Sequence, residues 1–283
     1  MEVTEAKFYN YDCFLLEDRK ATLKEFTGTG IPVGQFLEAG ALSSSPNLAF
    51  NTCASCTTCI PCRIAVDRFE MNRSQKRSFK KNSDLSVIFS TETPNAHMLE
   101  QHADLFAKHK SARNLQPLGK EAKETEAKTI ESKDRAFLKL KIENAKSSTL
   151  LFVEAHHANG NLAGAAVMRQ DFPHIVLEHV YYETQNPNRS LGTFLILNCI
   201  NSIEAIATYK EKKDSYLYLG TWMTDEKKRL HYKKMFNGPH HAFEILTKRG
   251  WKALDNVPPE CRHRPDAFQQ NAIRSILGTP VTW

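Results

Sequence analysis

HIVLEHVYYETQNPNRSLGTFLILNCINSIEAIATYKEKKDSYLYLGTW, residues 174–222, is the stretch on which the fold class turns. HIVLEHVYYE is rich in β-branched and aromatic residues and reads as a strand. RSLGTFLILNCINSIEAIATYK has the continuous apolar character of a buried helix, and SYLYLGTW is strand again. A helical crossover of this length makes the two strands parallel neighbours, with a right-handed connection expected. Immediately upstream, STLLFVEAHH and LAGAAVMRQ flank Asn159-Gly160-Asn161, a turn that tolerates positive φ, and so predict a β-hairpin. The fold class is therefore α/β, with a mixed sheet.

Further upstream the composition changes. Residues 108–139 include GKEAKETEAKTIESKDR, with almost no large apolar side chain before Phe137, and read as an exposed helix or connection. They divide the chain into an N-terminal domain (1–107), a charged connection (108–139) and a C-terminal domain with a tail (140–283). At 283 residues, 41% hydrophobic and 25% charged, the chain is long enough for two such regions with a substantial core. The start, MEVTEAKFYNYDCF, has no basic segment followed by an apolar one, and no window is read as a membrane span. The expectation is a cytoplasmic protein with no membrane partner. In a reducing compartment its cysteines stay as thiols or metal ligands.

Cys53-x-x-Cys56-x-x-Cys59-x-x-Cys62 leads directly into Arg63 and a basic run. Two-residue spacers let a turn aim paired thiolates at one soft metal, so zinc or an iron–sulfur cluster is a candidate; the alternative is a loop of reduced thiols or disulfides. In RSQKRSFKKN, Arg73, Lys76, Arg77, Lys80 and Lys81 recur at spacings of three and four, which places a nearly continuous positive face on a helix. Such a face suits a polyanion, with phosphate contacts supplying affinity, or is a solvated helix that keeps the protein in solution. Arg189-Ser190-Leu191-Gly192 precedes the long helix. Its spacing resembles part of the pyrophosphate-binding loop of the GCN5-related acetyltransferase (GNAT) fold, while Ser190 as an ordinary N-cap and Gly192 as a packing glycine remain open.

Taken in order, these blocks resemble the aminoacyl-tRNA–protein transferase family, the arginyltransferases and bacterial aspartate/glutamate leucyltransferases. DCFLLEDRKA is similar to the family's N-terminal cysteine segment. CASCTTCIPCRIAVDRFEMNRSQKRSFKKNSDLSV is similar to its C-x-x-C-x-x-C-x-P-x-R and R-S-Q-R-R blocks, and RSLGTFLIL, YLYLGTWM and HYKKMF to three more. The resemblance covers most of the chain from Cys13 to about Trp251. It implies a cysteine-containing N-terminal domain and an acetyltransferase-like C-terminal one. The implied activity transfers an amino acid, leucine by preference or arginine, from aminoacyl-tRNA to the α-amino group of proteins beginning with Asp or Glu, marking them for degradation.

In that setting Arg63 or Arg77 supplies a cation for the acidic acceptor residue, and Arg73, Arg77 and Lys81 grip tRNA phosphates. Arg189 and Ser190 lie in the loop beside the presumed site. Tyr232 and Lys233 match the family's Tyr-Lys pair, with Lys233 as a contact to the tRNA end or the acceptor carboxylate, or else an exposed helix lysine. Amides near Gly192 or the Tyr218 hydroxyl are candidate oxyanion donors. Glu178 and Tyr182 share one strand face, as do Tyr216, Tyr218 and Gly220, so one of these is a candidate proton relay or a sheet residue. Cys13, distant in sequence, joins Cys53, Cys56, Cys59 and Cys62 as a candidate metal ligand; no organic cofactor is expected. Asn186-Pro187-Asn188 replaces the usual Asp-Pro-Asp, Thr221 stands where an aromatic is common, and the tail from Ala253 falls outside the resemblance. Other readings are an acyl-CoA-dependent enzyme and a metal-stabilised RNA-binding module without activity.

Overall fold

The structure is a computed structural model that describes residues 2–13, 16, 19–29, 32–44, 47–54, 56–113, 124–143, 150–209, 214–225 and 230–278. By its internal packing the chain forms two units. The first comprises residues 1–71, 171–177 and 206–283, and the second 72–170 and 178–205.

In the first unit, β1 (Glu2–Asp12) and β2 (Lys20–Thr29) form an antiparallel pair, continued by β4 (Asn47–Asn51) and β3 (Leu42–Ser44) in the order β1-β2-β4-β3. The short helix α1 (Val33–Glu38) contributes Phe36, which packs with Phe26 and Phe50 at ring separations of 5.6 and 6.1 Å. This aromatic cluster also takes in Val176, Tyr218 and Ile273, so its core draws on both ends of the chain.

The organising strand of this unit is β5 (Ile60–Ala65), whose six residues are all buried. It lies between β10 (Tyr216–Trp222) and β11 (Phe243–Thr247), antiparallel to both. Strand β12 (Gly250–Ala253) pairs with β11, and the start of β9 (His174–Tyr182) runs parallel to β10 through Tyr216 opposite His174. The helical crossover thus joins parallel neighbours, as expected. A strand buried on both faces normally reads as a continuous apolar run. Here Pro61, Cys62 and Arg63 interrupt that run, which hid β5 behind the cysteine spacing.

In the second unit, β9, β8 (Leu162–Asp171), β7 (Leu150–His156) and β6 (Ser86–Ser90) follow in spatial order. The predicted hairpin is β7–β8, with Gly160 at φ 84° in its turn. Helix α2 (Arg73–Lys81) opens on a capping box between Asn72 and Gln75. The charged stretch 108–139 begins in α3 (Ala96–Ala112) and continues in α4 (Glu124–Glu143), while residues 114–123 lie outside the described set. It lies wholly within this unit, and α4 is amphipathic: Leu138 and Ile142 enter the core. Arg135 to Asp104 and Lys110 to Asp134 tie the two helices together. A division in sequence order at 107 and 139 therefore differs from the packing, because β5 takes its partners from the far end of the chain.

Helix α5 (Leu191–Tyr209) is the buried helix read from sequence. Contrary to the expectation that no stretch resembles a membrane span, Pro187–Ala207 is long and apolar enough to be one by composition. Leu195, Leu197, Cys199 and Ile203 are nonetheless fully enclosed by protein. The C-terminal tail contributes a short helix, α6 (Asp266–Leu277).

Candidate active site

Arg63 is the centre of the site in the first unit. Alternation along β5 turns it to one face, where burial at 5% exposure requires compensation of its charge. Its Nε donates to Glu244 Oε2 at 2.7 Å, and Nη1 donates to Glu38 Oε1 at 2.5 Å and to the Tyr218 hydroxyl at 3.0 Å. The guanidinium stacks 3.7 Å from the Tyr216 ring centre and 4.5 Å from that of Trp251. Tyr216 and Tyr218 do share the strand face anticipated from alternation.

The Tyr218 hydroxyl fixes the proton arrangement around it. It donates to Glu38 Oε1 at 2.7 Å and accepts from Arg63 Nη1, leaving one lone pair for His174 Nδ1 at 3.0 Å. His174 therefore carries its proton on Nδ1, and Nε2 is the bare nitrogen. Burial, more than the Arg63 charge, lowers the His174 pKa below the usual value, with Glu38 and Asp171 opposing. The ring is neutral at pH 7. Burial likewise pushes the Tyr218 phenol well up, so it stays protonated.

These groups line a cavity of about 860 Å³ whose walls include Gly34, Glu38, Arg63, Asp171, His174 and Trp251, closed by Phe268, Ala272 and Ile276 of α6. Asp171 Oδ2 accepts from the Gly34 amide at 2.7 Å. Of the sequence candidates, the cavity has Arg63 in its wall and Tyr218 at the adjoining hydrogen bonds. Glu38, Asp171, His174 and Trp251 were missed. A buried arginine implies carboxylate partners, but nothing in the sequence says which ones.

The cysteines separate into two environments. Burial raises the Cys59 pKa to about 11, with the nearby Cys56, Cys13 and Cys53 adding to the rise and Arg264 opposing it. Arg264 donates to the Cys53 carbonyl at 3.0 Å and braces this loop. Cys62 sits inside β5, opposite Gly220 and Ile245, its thiol raised to about 11 by burial with Lys233 as the opposing charge. Among the described residues no group of three or more His, Cys, Asp or Glu side chains is arranged to hold a metal ion. Lys233 is not an exposed helix lysine: it is buried, and its ammonium donates to the carbonyls of Leu219 and Thr221 at 2.6 and 2.7 Å, on either side of the Gly220 bulge. Tyr232 beside it is exposed.

The second unit holds the remaining candidates. Arg73, Lys76, Arg77, Lys80 and Lys81 are all exposed on α2, while Gln75 and Ser78 face inward. The loop ahead of α5 is clamped to the end of α2. Arg189 donates to Asn82 Oδ1 and Asp84 Oδ1 at 2.9 and 2.5 Å, and Lys81 donates to the Asn188 carbonyl at 2.8 Å. Ser190 adopts a left-handed conformation, and its carbonyl accepts the first helical bond from Phe194. A Cβ on Gly192 would stand 2.7 Å from the Tyr182 ring, so close packing alone requires glycine there. Glu178 pairs with Arg169 at 3.1 Å.

A buried guanidinium, a neutral imidazole and a partly exposed carboxylate thus stand beside one cavity of the first unit. The family model described as "Arginine-tRNA-protein transferase, C terminus" matches residues 101–243, half of the chain, and the chain belongs to that family. It is 26% identical to an aspartate/glutamate leucyltransferase of Saccharophagus degradans, covering 85% of this chain and 92% of the relative. To one of Pseudomonas fluorescens it is 27% identical, covering 90% and 99%. Among solved structures it is similar to the PaiA N-acetyltransferase of Thermoplasma acidophilum in complex with coenzyme A, at 17% identity and a TM-score of 0.33, over 43% of this chain and 74% of that one.

Proposed function

We propose that this chain transfers leucine from leucyl-tRNA to the α-amino group of proteins whose first residue is Asp or Glu, marking them for degradation. Membership of the transferase family carries the reading, and the leucyl donor is favoured by the relatives that match over nearly their whole length. A charged-tRNA donor implies a cytoplasmic reaction.

The reaction is aminolysis of an ester. The α-amine nitrogen attacks the ester carbonyl carbon, a C–N bond forms and the C–O bond to the terminal ribose breaks. The proton lost by the amine ends on the released ribose oxygen. An α-amine has a pKa near 7.7–8.0, so a positioned weak base suffices. His174 Nε2, neutral and unprotonated beside the cavity, is that base in this reading, held in its tautomer by Tyr218. The exposed face of α2 binds tRNA phosphates. Cys13, Cys53 and Cys56 all lie near Cys59, which supports these four as the soft donors that zinc or an iron–sulfur cluster would use, although among the described residues they are not arranged around one ion in this structure; Cys62 is left outside the set.

The test is transfer of radiolabelled leucine or arginine from charged tRNA to peptides beginning with Asp, Glu or Ala, using anaerobically purified protein. Leucine on the acidic peptides alone is expected. Arginine on those peptides would reassign the donor, and no transfer from either tRNA would overturn the reading.

A further inference from the structure

The acidic acceptor residue carries two charges of opposite sign, an α-ammonium and a side-chain carboxylate, only a few bonds apart. We infer that the cavity beside Arg63 reads both: Arg63 Nη2 takes the carboxylate and Glu38 Oε2 takes the ammonium. This deepens the proposed function and rests on it.

Two unused atoms carry the inference. The hydrogen bonds of Arg63 run from Nε and Nη1, and among the described residues none uses Nη2. Arg63 lies in the cavity wall, so this end of the guanidinium is a donor pair without a protein partner at the site. The bonds of Glu38 fall on Oε1, from Arg63 and Tyr218, and none uses Oε2, although the side chain is 41% exposed. Arg63 Nη1 and Glu38 Oε1 are in direct contact, which puts the two unused atoms on adjoining ends of one ion pair. Trp251 and Tyr216 hold the guanidinium plane, and the Trp251 indole donates to the Glu38 carbonyl at 2.9 Å. Both partners are therefore fixed before anything binds.

The charge balance points the same way. Glu244 is shared between Arg63 and Arg68, so Arg63, Arg68, Glu38 and Glu244 form a neutral set. Asp171, pinned by the Gly34 amide at the cavity wall, adds a negative charge that favours an ammonium. A leucyl side chain in the carboxylate's place would leave Arg63 Nη2 without its partner. The cavity, about 860 Å³, holds one residue and the start of the chain behind it.

The test is peptide binding without tRNA, followed by fluorescence anisotropy of a dye at the peptide's C-terminus. An Asp-led peptide is compared with Asn-led and N-acetyl-Asp-led versions, on the full chain and on Glu38→Gln. On the unaltered protein each change is expected to weaken binding about tenfold or more, as loss of a charged hydrogen bond does. In Glu38→Gln the Asp-led peptide falls toward the level of its N-acetyl form, and acetylation then costs clearly less than on the unaltered protein, the remainder being the share of Asp171. The Asp-over-Asn preference persists. Glu38→Asp, which keeps the charge, restores the effect of acetylation and guards against a loosened pocket. An unchanged acetylation effect in Glu38→Gln, or equal binding of Asp- and Asn-led peptides, overturns the assignment. Transfer assays on the same preparations keep the two readings apart. Normal transfer with neither discrimination in binding sinks only the pocket, whereas full discrimination with no transfer sinks only the reaction.

Discussion

Gly34 and Gly192 are glycines for the same steric reason. A Cβ on Gly34 would lie 2.6 Å from His174 Cδ2, and one on Gly192 2.7 Å from the Tyr182 ring. Overpacking of this kind costs about 1–3 kcal/mol. Gly34→Ala should therefore lower the melting temperature and also displace the imidazole from Tyr218, cutting transfer by more than the loss of folded protein explains; Gly192→Ala should lower stability as well. Equal losses of rate and folded fraction in Gly34→Ala would count against a role for the ring. His174→Gln tests that role directly, since it keeps a polar group of similar reach but removes the base. Glu38, Asp171, Arg63, Tyr216 and Tyr218 surround the imidazole and remain in place. With the base gone, kcat should fall about 100-fold with little change in peptide KM, and the acid limb set by the imidazole should disappear. At this scale the sequence was legible where alternation alone decides, since Tyr216 and Tyr218 both face Arg63. Glu38 in GQFLEAG and Trp251 in RGWKA look like any helix acid and strand aromatic until folding puts them against the arginine.

The elements were more legible, because periodicity and turn chemistry act locally. The β7–β8 hairpin, β9, α5 and β10 all lie where alternation, Asn159-Gly160 and the apolar run placed them. The second half of α4 was less so, since a face of two large apolar residues, Leu138 and Ile142, is lost among the charges of the exposed one. Helix α2 keeps its cations in solvent, so Arg77→Glu should weaken tRNA binding and reduce the slope of log affinity against log salt by about one; an unchanged slope would remove Arg77 from the interface. Strand β9 carries a second consequence. His179, packed on Phe106 and Phe137, is held at a pKa of about 4, chiefly by burial and then by Lys141 and Lys110. The unfolded chain takes up this proton near pH 6.5, the folded one only near 4, so stability is complete above pH 6.5 and declines as pH falls between those values. The loss has an upper limit of about 3 kcal/mol, because the residue as a whole is only partly buried. Acid titration of thermal stability in His179→Phe should show a shallower decline than in the parent.

At the scale of the molecule, block order in the sequence identified the family and the mixed sheet, but not the packing units. Local pattern cannot reveal that β5 pairs with strands some 150 residues later, between Tyr216 and Thr247. The same long-range pairing buries Cys62 inside β5, whereas Cys13, Cys53, Cys56 and Cys59 are only partly buried, and this makes a metal proposal that leaves Cys62 out testable. Cys56→Ser should lower bound zinc or iron and the melting temperature together, while Cys62→Ser should leave metal content unchanged. Equal metal loss in both would restore Cys62 to the donor set, and unchanged metal in Cys56→Ser would remove the site.

The wall of the cavity is built from residues 32–39, 63, 171–174, 250–251 and 268–276. During synthesis the first of these is made long before the last, and Arg63 waits for Tyr218 and Glu244 to compensate its charge. A partly made chain therefore carries the arginine without the recess around it. A chain without α6 therefore holds the arginine in a recess with one wall missing.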